Sequence, residues 1–225
     1  MAGVIRALSR KDIPLAALLL GSIGVLAETS HLQRAAFNAA FAEAGLDWHW
    51  SEVRYADLLA RSGGADRIAA EAARRGEEVD AAALHARKSA LFQQALGQGV
   101  PLRPGVAETM QAARAAGQTV ALVTTTSAAN VAAVLAATGL ARADFDLLLT
   151  RADVSNPKPD PEVYALALER LGHPEAHAVE DNPDGVRAAL GAGLACAAFP
   201  GALHDTANFE GASGIVEILD PGIIA

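Results

Sequence analysis

The chain has 225 residues, and its 18 lysines and arginines against 26 aspartates and glutamates give a formal net charge of −8 at pH 7. Because the charges are scattered without a basic stripe, the long-range field repels polyanions, and we expect no nucleic-acid partner. The length supports a full α/β domain with a smaller one beside it, and the single cysteine, Cys196, favours a reducing, cytoplasmic location.

The N-terminal region has two interpretations. Two arginines and Lys11 precede an apolar stretch over residues 13–27, and this order imitates a secretory signal. The alternative is a buried strand followed by a loop. We favour the strand, because Pro14 and the sequence Gly21-Ser22-Ile23-Gly24 interrupt the stretch and it is too short to span a bilayer. No other segment has the length of a membrane helix, so we expect no membrane partner.

Short apolar segments alternate with helical patterns through the second half of the chain. This alternation is typical of a parallel sheet with helices on its faces, so we predict the α/β class. The predicted strands are Ala16–Leu20, Thr119–Thr124, Phe145–Leu149, Ala176–Val179 and Leu194–Ala198.

A long stretch between the first two predicted strands reads almost wholly as alanine-rich amphipathic helix, with breaks near Gly45, Gly63-Gly64 and Gly76. A helical block inserted after the first strand of a parallel sheet is most simply a cap over the strand ends, where such sheets bind ligands. We therefore predict a core domain of residues 1–27 and 97–225 and a helical cap domain of residues 28–96.

The sequence Thr124-Thr125-Thr126-Ser127 follows a predicted strand and begins a helix. Hydroxyls and free backbone N–H groups that point at one spot form a nest for an anion. The alternative is a simple helix cap made by Ser127.

A second polar group lies in Asn156-Pro157-Lys158-Pro159-Asp160-Pro161, where alternating prolines stiffen the backbone around Lys158. A rigidly mounted lysine suits a phosphate ligand. The alternative is a surface lysine in a loop that enters a helix.

Two adjacent acids, Glu180 and Asp181, end the fourth predicted strand just before a helix that starts near Pro183. Paired carboxylates in this place suit a hard divalent cation, most plausibly Mg²⁺, whose other ligands are water and phosphate oxygen. The alternative is a helix N-terminus whose acids complement the helix dipole. Together the three groups describe an anion nest, a lysine and a metal carboxylate above one sheet.

The order of these groups along the chain resembles that of the haloacid dehalogenase superfamily. The position of the cap and the local sequences resemble the CbbY-type sugar-phosphate phosphatases of that superfamily. The resemblance covers nearly the whole chain. The matching segments are Leu26-Ala27-Glu28-Thr29, Ala35-Ala36-Phe37-Asn38, Leu46-Asp47-Trp48, Gly63-Gly64, Arg67-Ile68, Leu102-Arg103-Pro104-Gly105, Thr124-Thr125-Thr126-Ser127, Lys158-Pro159 and Glu180-Asp181.

The resemblance implies roles for the residues of both domains. In the core, it makes Thr124 and its neighbour Thr125 the binding groups for a phosphoryl group, with Lys158 the cation beside them. It makes Glu180 and Asp181 the acids of a Mg²⁺ site. In the cap, the loop residues Gly64 and Arg67 reach over the substrate, and Glu28 belongs to the hinge and to the substrate-binding region. Arg67 suits a second phosphate or a sugar, and its alternative is a solvated helix residue.

The chain departs from the family where catalysis takes place. Active members have Asp-x-Asp-Gly-Thr after the first strand, with a nucleophile in the first aspartate and an acid/base in the second. Aligned on Gly24, this chain has Gly21 at the nucleophile, Ile23 at the acid/base and Val25 at the threonine. Glycine and isoleucine provide neither group, so both halves of covalent catalysis are lost.

Neighbouring positions depart as well. Ser22 should face away from the ligand, because side chains alternate along a strand. In the cap, Gln33 and Ala65 stand where the family commonly has histidine and lysine. Without a carboxylate at position 21, Mg²⁺ would have one ligand fewer and should bind weakly. The same missing charge reduces the repulsion of an anion near Lys158, so we expect phosphate to bind without metal.

Three functions remain open at this stage. We favour a natural pseudoenzyme, an inactive or severely impaired phosphatase that binds a phosphorylated metabolite or an unidentified protein partner. The first alternative is an active Mg²⁺-dependent sugar-phosphate phosphatase that uses an unrecognised group. The second is a purely structural or interaction module. Among the remaining residues, Trp48 and Trp50 are expected to pack in the cap, and His173, His177 and His204 to be exposed or in loops.

Overall fold

The computed structural model of the chain describes residues 17–60, 63–172, 175–204 and 208–224. Among these residues, six strands form one sheet: β1 (Ala17–Leu20), β2 (Thr119–Val123), β3 (Leu147–Leu149), β4 (Ala176–Glu180), β5 (Ala195–Ala198) and β6 (Gly214–Ile215). The order is β3-β2-β1-β4-β5-β6, and every pairing is parallel. The predicted α/β class and all five predicted strands are confirmed, with ends shifted by one or two residues, and the two-residue edge strand β6 was not predicted.

The helices of the described residues alternate with the strands after a long helical insertion. They are α1 (Ile23–Leu26), α2 (Ser30–Glu43), α3 (Glu52–Leu58), α4 (Gly64–Arg75), α5 (Ala81–Leu96), α6 (Val106–Ala115), α7 (Ala128–Thr138), α8 (Glu162–Arg170) and α9 (Pro183–Gly191). Short 3₁₀ turns lie at Arg142–Asp144, Arg151–Asp153 and Pro221–Ile224.

The central strand β1 is buried on both faces, as its continuous apolar sequence requires. Leu18 and Leu20 pack with residues of α6 and α7 on one face. Ala17 and Leu19 pack with residues of α8 and α9 on the other. This three-layer arrangement brings the carboxyl ends of β1, β2 and β4 side by side, because Leu20 is in register with Leu122 and Val179.

Helices α2 to α5 form the predicted cap, and they have an aromatic core of their own. Phe37, Phe41, Trp48, Trp50 and Tyr55 are all buried in this core. The expected packing role of both tryptophans is therefore confirmed. The far end of α5 packs with the cluster on the sheet instead, and the domain limits at residues 28 and 97 stay a prediction.

The N-terminal interpretations can be followed only in part, since residues 1–16, including Lys11 and Pro14, lie outside the described residues. The described end of the apolar stretch is the buried strand β1, as expected, but the short helix α1 follows it where a loop was expected. Across the described ranges, no helix combines the length and the apolar character that crossing a membrane requires.

Candidate active site

A cavity of about 450 Å³ lies between the carboxyl ends of the strands and the cap helices. Its core side is made by the loops after β1, β2 and β4, and its cap side by α2, α4 and α5. All but one of the predicted core and cap site residues line it; Glu180 is buried behind the wall. The lining residues used below are Gly21, Ser22, Ile23, Glu28, Gly64, Arg67, His85, Lys88, Thr124, Thr125, Lys158, Asp181 and His204.

The loop after β1 turns directly into the short helix α1, and Ser22 is the N-cap residue of that helix. The Ser22 hydroxyl oxygen accepts the backbone N–H groups of Gly24 at 2.9 Å and Val25 at 3.3 Å, and the hydroxyl donates to Asp181 Oδ1 at 2.6 Å. The expectation that Ser22 faces away from the ligand is wrong. The extended strand ends at Leu20, so the alternation of a strand no longer applies at residue 22.

Gly21, which the sequence analysis aligned with the nucleophile position, has surroundings that leave no room for a side chain. A Cβ atom at Gly21 would stand 2.2 Å from both Cδ and Oε1 of Glu180, and 2.4 Å from the hydroxyl oxygen of Tyr164. Carbon atoms in contact normally lie about 3.5–4.0 Å apart. The Glu180 carboxylate and the Tyr164 hydroxyl therefore occupy the space that a side chain at residue 21 would need.

Glu180, Lys158 and Tyr164 form a buried cluster beneath this position. Lys158 Nζ lies 2.6 Å from Glu180 Oε1 and also donates to the carbonyl oxygens of Gly21 and Val123, so its three N–H groups are all used. The Tyr164 hydroxyl donates to the same carboxylate oxygen at 2.6 Å. Burial raises the pKa of Glu180 against the opposing effect of Lys158, and burial together with Glu180 raises the pKa of Tyr164 well above its ordinary value.

This cluster differs from the expected arrangement, in which Lys158 contacts phosphate and Glu180 contacts metal. In the structure the two charges neutralise each other, and both side chains are almost completely buried. An anion in the cavity reaches Lys158 only if the ammonium exchanges one of its three protein acceptors. The phosphate-binding role of Lys158 stays a prediction.

The loop after β2 combines the two interpretations of its threonines. Ser127 caps α7 by accepting the N–H group of Asn130, as a simple helix cap does. The Thr124 hydroxyl is buried and pairs locally, because it accepts the N–H group of Thr126 at 3.1 Å and donates to the Thr126 hydroxyl. The backbone N–H group of Thr125 has no acceptor among the described residues.

Two of the loops that line the cavity contain backbone N–H groups without an acceptor among the described residues. Those of Ser22 and Ile23 also have no acceptor within the described part of the chain. With the N–H group of Thr125 they provide unpaired donors of the kind that bind oxyanions at turns and helix starts. The side chain of Ile23, which the sequence analysis aligned with the acid/base, is only 6% exposed and belongs to the apolar cluster on the sheet.

The acidic pair does not form a Mg²⁺ site with its present partners. Glu180 is bound to Lys158 and Tyr164, whereas Asp181 Oδ1 accepts the Ser22 hydroxyl and, at 2.8 Å, the amide of Asn182. No group of three histidine, cysteine, aspartate or glutamate side chains that could hold a metal ion occurs among the described residues. Mg²⁺ requires near-octahedral oxygen ligands, and the residues do not fit that requirement.

The predicted cap residues approach the cavity from the other side. Arg67 Nε donates to the carbonyl oxygen of Leu58 at 2.9 Å, and Gly64 lies against His85. Glu28 connects the start of the cap to the core, because its carboxylate accepts the N–H groups of Ser30 at 2.8 Å and Ala202 at 2.6 Å. Burial by itself would raise the pKa of Glu28, but these hydrogen bonds outweigh it and hold the pKa below its ordinary value.

Lys88 is a cavity residue that the sequence analysis missed. It is only 3% exposed, its Nζ lies 4.5 Å from the ring centre of Phe37 and 5.1 Å from that of Phe92, and it donates to Gln33 Oε1. Burial, assisted by the nearby charge of Arg67, lowers the pKa of Lys88 to about 7. A signal was available, because Lys88 interrupts the buried stripe of Leu84 and Phe92 at helical spacing.

His204 was also missed as a cavity residue. It lies in a loop, as expected, but it is half-buried and lines the cavity. Its two ring nitrogens have no hydrogen-bond partner among the described residues, and burial lowers its pKa. The expectation for His177 is wrong, since it is a half-buried residue of β4. His173 lies outside the described residues.

Comparison with known proteins bears on this site. Residues 15–193 match the family model of haloacid dehalogenase-like hydrolases. The chain is 39% identical to protein CbbY of Cereibacter sphaeroides in an alignment of 211 residues that covers 89% of this chain and 91% of that protein. It is 32% identical over 224 residues to a CbbY-like protein of Arabidopsis thaliana, which covers 91% of this chain and 70% of that protein.

Two crystal structures of CbbY from Rhodobacter sphaeroides are similar to the whole chain. One is a complex with phosphate, and the other is a mutant in complex with xylulose-(1,5)bisphosphate. Each is 38% identical to the chain with a TM-score of 0.83, and the match covers 91% of this chain and 94% of the relative.

Proposed function

Because the chain belongs to the haloacid dehalogenase-like hydrolase family and is a CbbY-like member of it, we propose that it binds a phosphorylated small molecule of the sugar-phosphate class without hydrolysing it at the family's rate. The observation that carries the proposal is the crowding at Gly21. A side chain there would stand 2.2 Å from the Glu180 carboxylate, so the place of the nucleophile is filled by other groups.

The loss of turnover follows from the chemistry of the two replaced positions. Gly21 provides no carboxylate to form an aspartyl-phosphate, and the buried Ile23 transfers no proton. Losing a nucleophile that acts within a catalytic unit costs on the order of 10⁶ in turnover. We expect Mg²⁺ to have little effect, because Glu180 is already neutralised by Lys158.

The binding half of the proposal rests on donors that remain around the cavity. Unpaired N–H groups of Ser22, Ile23 and Thr125 suit one phosphoryl group at the strand ends. Arg67, Lys88 and His85 line the cap side, where they suit a second anionic or hydroxyl-bearing part of the same ligand. A relative in complex with a sugar bisphosphate supports this ligand class.

Two measurements on the same preparation test the proposal. Isothermal titration of metal-free protein with inorganic phosphate and with a panel of sugar phosphates should show saturable binding of at least one of these ligands. Phosphate release from the same panel with Mg²⁺ should stay at background. Turnover that persists through purification to homogeneity would overturn the claim of lost hydrolysis, and the absence of any saturable binding would favour a purely structural module.

A matched pair of arginine variants locates the binding. Arg67→Met removes a cation from the cavity wall, and we expect it to weaken sugar-phosphate binding by about tenfold or more, the effect of one lost hydrogen bond to a charged group. Arg170→Met removes the same charge from α8, outside the cavity lining, and should leave binding unchanged. Equal effects of the two variants would mean that the cavity is not the site.

A second candidate function is favoured by one observation, the 2.6 Å hydrogen bond from the Ser22 hydroxyl to Asp181. A serine with a carboxylate base and two N–H donors on its oxygen has the parts of an activated nucleophile. In this candidate, Ser22 Oγ attacks phosphorus while its proton passes to Asp181, the bond from phosphorus to the sugar oxygen breaks, and the sugar leaves as an alcohol that takes this proton from Asp181. Water then attacks the phosphoserine, which releases inorganic phosphate and restores the serine hydroxyl. The chain would then be an active phosphatase that uses a group unknown in its family.

The serine candidate is separated from the first by a single substitution. If phosphate release is detected, Ser22→Ala should abolish it and Ser213→Ala, at an exposed position of the core, should not. Mass spectrometry after brief mixing with a sugar phosphate should find a phosphorylated peptide that contains Ser22. Release that survives Ser22→Ala excludes this candidate.

A further inference from the structure

The chain contains three lysines, and the structure gives two of them very different surroundings. Lys158 is held by the Glu180 carboxylate and two carbonyl oxygens, which use all its donors. Lys88 has no ion pair with a carboxylate in the described part of the chain. Lys11 lies outside the described residues.

Burial and the nearby charge of Arg67 disfavour the charged form of Lys88. They outweigh the contacts that favour an ammonium, which are the Gln33 amide oxygen and the Phe37 ring of α2 and the Phe92 ring of α5. The titratable neighbours are Arg67 of α4 and His85 of α5, and neither is a counterion for an ammonium group. A buried ammonium that lacks a counterion and lies near another positive charge favours loss of its proton.

A neutral lysine amine is a nucleophile, and this one lines the cavity that receives the proposed ligand. The pKa of about 7 leaves roughly half of the molecules with a neutral Lys88 at pH 7, against fewer than about one in a thousand for an ordinary lysine. Desolvated lysines of this kind form imines with carbonyl substrates. Sugar phosphates carry such a carbonyl group in their open-chain form.

We propose that Lys88 is a carbonyl-reactive site, which forms a reversible imine with an aldehyde or ketone that bears a phosphate and is held in the cavity. The inference rests on the proposed function for the phosphate that positions the compound, and adds a covalent capability that this function does not require. The cavity's unpaired N–H groups would hold the phosphate while Nζ meets the carbonyl carbon at the cap side.

The reaction balances without any further reagent. The lone pair of neutral Nζ forms a bond to the carbonyl carbon while the carbonyl π electrons move to oxygen, and proton transfer from nitrogen to oxygen gives a carbinolamine. Loss of that hydroxyl with the remaining N–H proton releases one water and leaves a carbon–nitrogen double bond. Addition of water reverses both steps, so no oxidant or reductant is consumed.

Pyridoxal phosphate, an aldehyde with one phosphate, is a suitable probe. The protein is mixed with it near pH 7, the imine is followed by absorbance, and borohydride then reduces it to a stable amine that peptide mapping can locate. We expect labelling at Lys88 to be about tenfold or more faster than at Lys11, because more of the amine is neutral. Pyridoxal without phosphate should label Lys88 about tenfold more slowly.

Variants and controls make the result decisive. Lys88→Met should remove the labelled peptide, and Lys11→Arg should leave it unchanged. Should the methionine variant fail to fold by circular dichroism, Lys88→Arg keeps the positive charge and lacks the nucleophilic amine. Phosphate titration on the same preparation reports the proposed function separately.

Each outcome decides the inference. Labelling at Lys88 that depends on the phosphate of the probe supports it. Phosphate binding without labelling at Lys88 leaves the proposed function intact and overturns the imine. Labelling of Lys88 no faster than Lys11, or equally fast by pyridoxal, overturns it as well, because the cavity would then play no part.

Discussion

The substitution Gly21→Ala tests whether the place of the nucleophile is filled. The added methyl group would stand 2.2 Å from the Glu180 carboxylate and 2.4 Å from the Tyr164 hydroxyl, so Glu180 must move. Movement of Glu180 opens its 2.6 Å contact with the buried Lys158. Overpacking costs about 1–3 kcal/mol and breaking a buried ion pair about 3–5 kcal/mol, so we expect the free energy of unfolding to fall by about 3 kcal/mol.

Urea unfolding followed by circular dichroism measures this change. Gly214→Ala in β6 is the matched control, because a Cβ there meets no atom within 4 Å. It should change the free energy of unfolding by less than about 1 kcal/mol. Equal effects of the two substitutions would refute the reasoning, since they would mean that Glu180 yields to a methyl group without loss.

The same site and the cap give two further predictions. Glu180→Gln leaves the Lys158 ammonium without its buried counterion, and urea unfolding should show a loss of about 3–5 kcal/mol that Lys158→Met partly restores. Glu71→Gln removes the carboxylate that contacts three arginines in the cap and holds a pKa of about 2 against an ordinary 4.5. Because the folded pKa is lowered, the stabilisation is present above pH 4.5 and disappears as the pH falls towards 2. Since the side chains of Arg54 and Arg74 are 40% and 57% exposed, solvent screens these contacts, and we expect a loss of only about 1 kcal/mol at pH 7. A difference in unfolding free energy between wild type and variant that is as large at pH 2 as at pH 7 would contradict the assignment.

The sheet could be predicted because each of its main strands carries a local pattern. β1 is central and buried on both faces, so its sequence is a continuous apolar run bounded by glycine. The cap was predictable from helix periodicity and from glycines such as Gly76, which ends α4 in the left-handed conformation. β6 has two exposed residues at the sheet edge, Gly214 and Ile215, and two residues carry no periodicity.

The side-chain partners in the site could not be predicted in the same way. The sequence places Glu180 at a strand end, and from there its carboxylate could bind either a metal ion or a lysine. Only the missing side chain at Gly21 lets the carboxylate turn toward Lys158 and Tyr164, and this depends on residues separated widely along the chain. Ser22 shows a related limit, because the alternation rule fails as soon as the strand ends.

Placing aspartates at positions 21 and 23, where the resemblance implies the nucleophile and the acid/base, should create a Mg²⁺ site that stabilises the fold. In Gly21→Asp with Ile23→Asp, the new side chain at position 21 must displace Glu180 from the place it fills, and four carboxylates then crowd the adjacent ends of β1 and β4. Their mutual repulsion destabilises the metal-free variant, whereas a divalent cation gains the oxygen ligands that the wild type lacks. Saturating Mg²⁺ at about 100 times its dissociation constant contributes about 2.7 kcal/mol, so it should raise the melting temperature of the double variant and not that of the wild type.

Ile23→Asp alone is the control, since it leaves Glu180 paired with Lys158. Equal Mg²⁺ shifts in all three proteins would show that Glu180 and Asp181 bind the cation unaided, and the reading of Glu180 as a partner of Lys158 would be wrong.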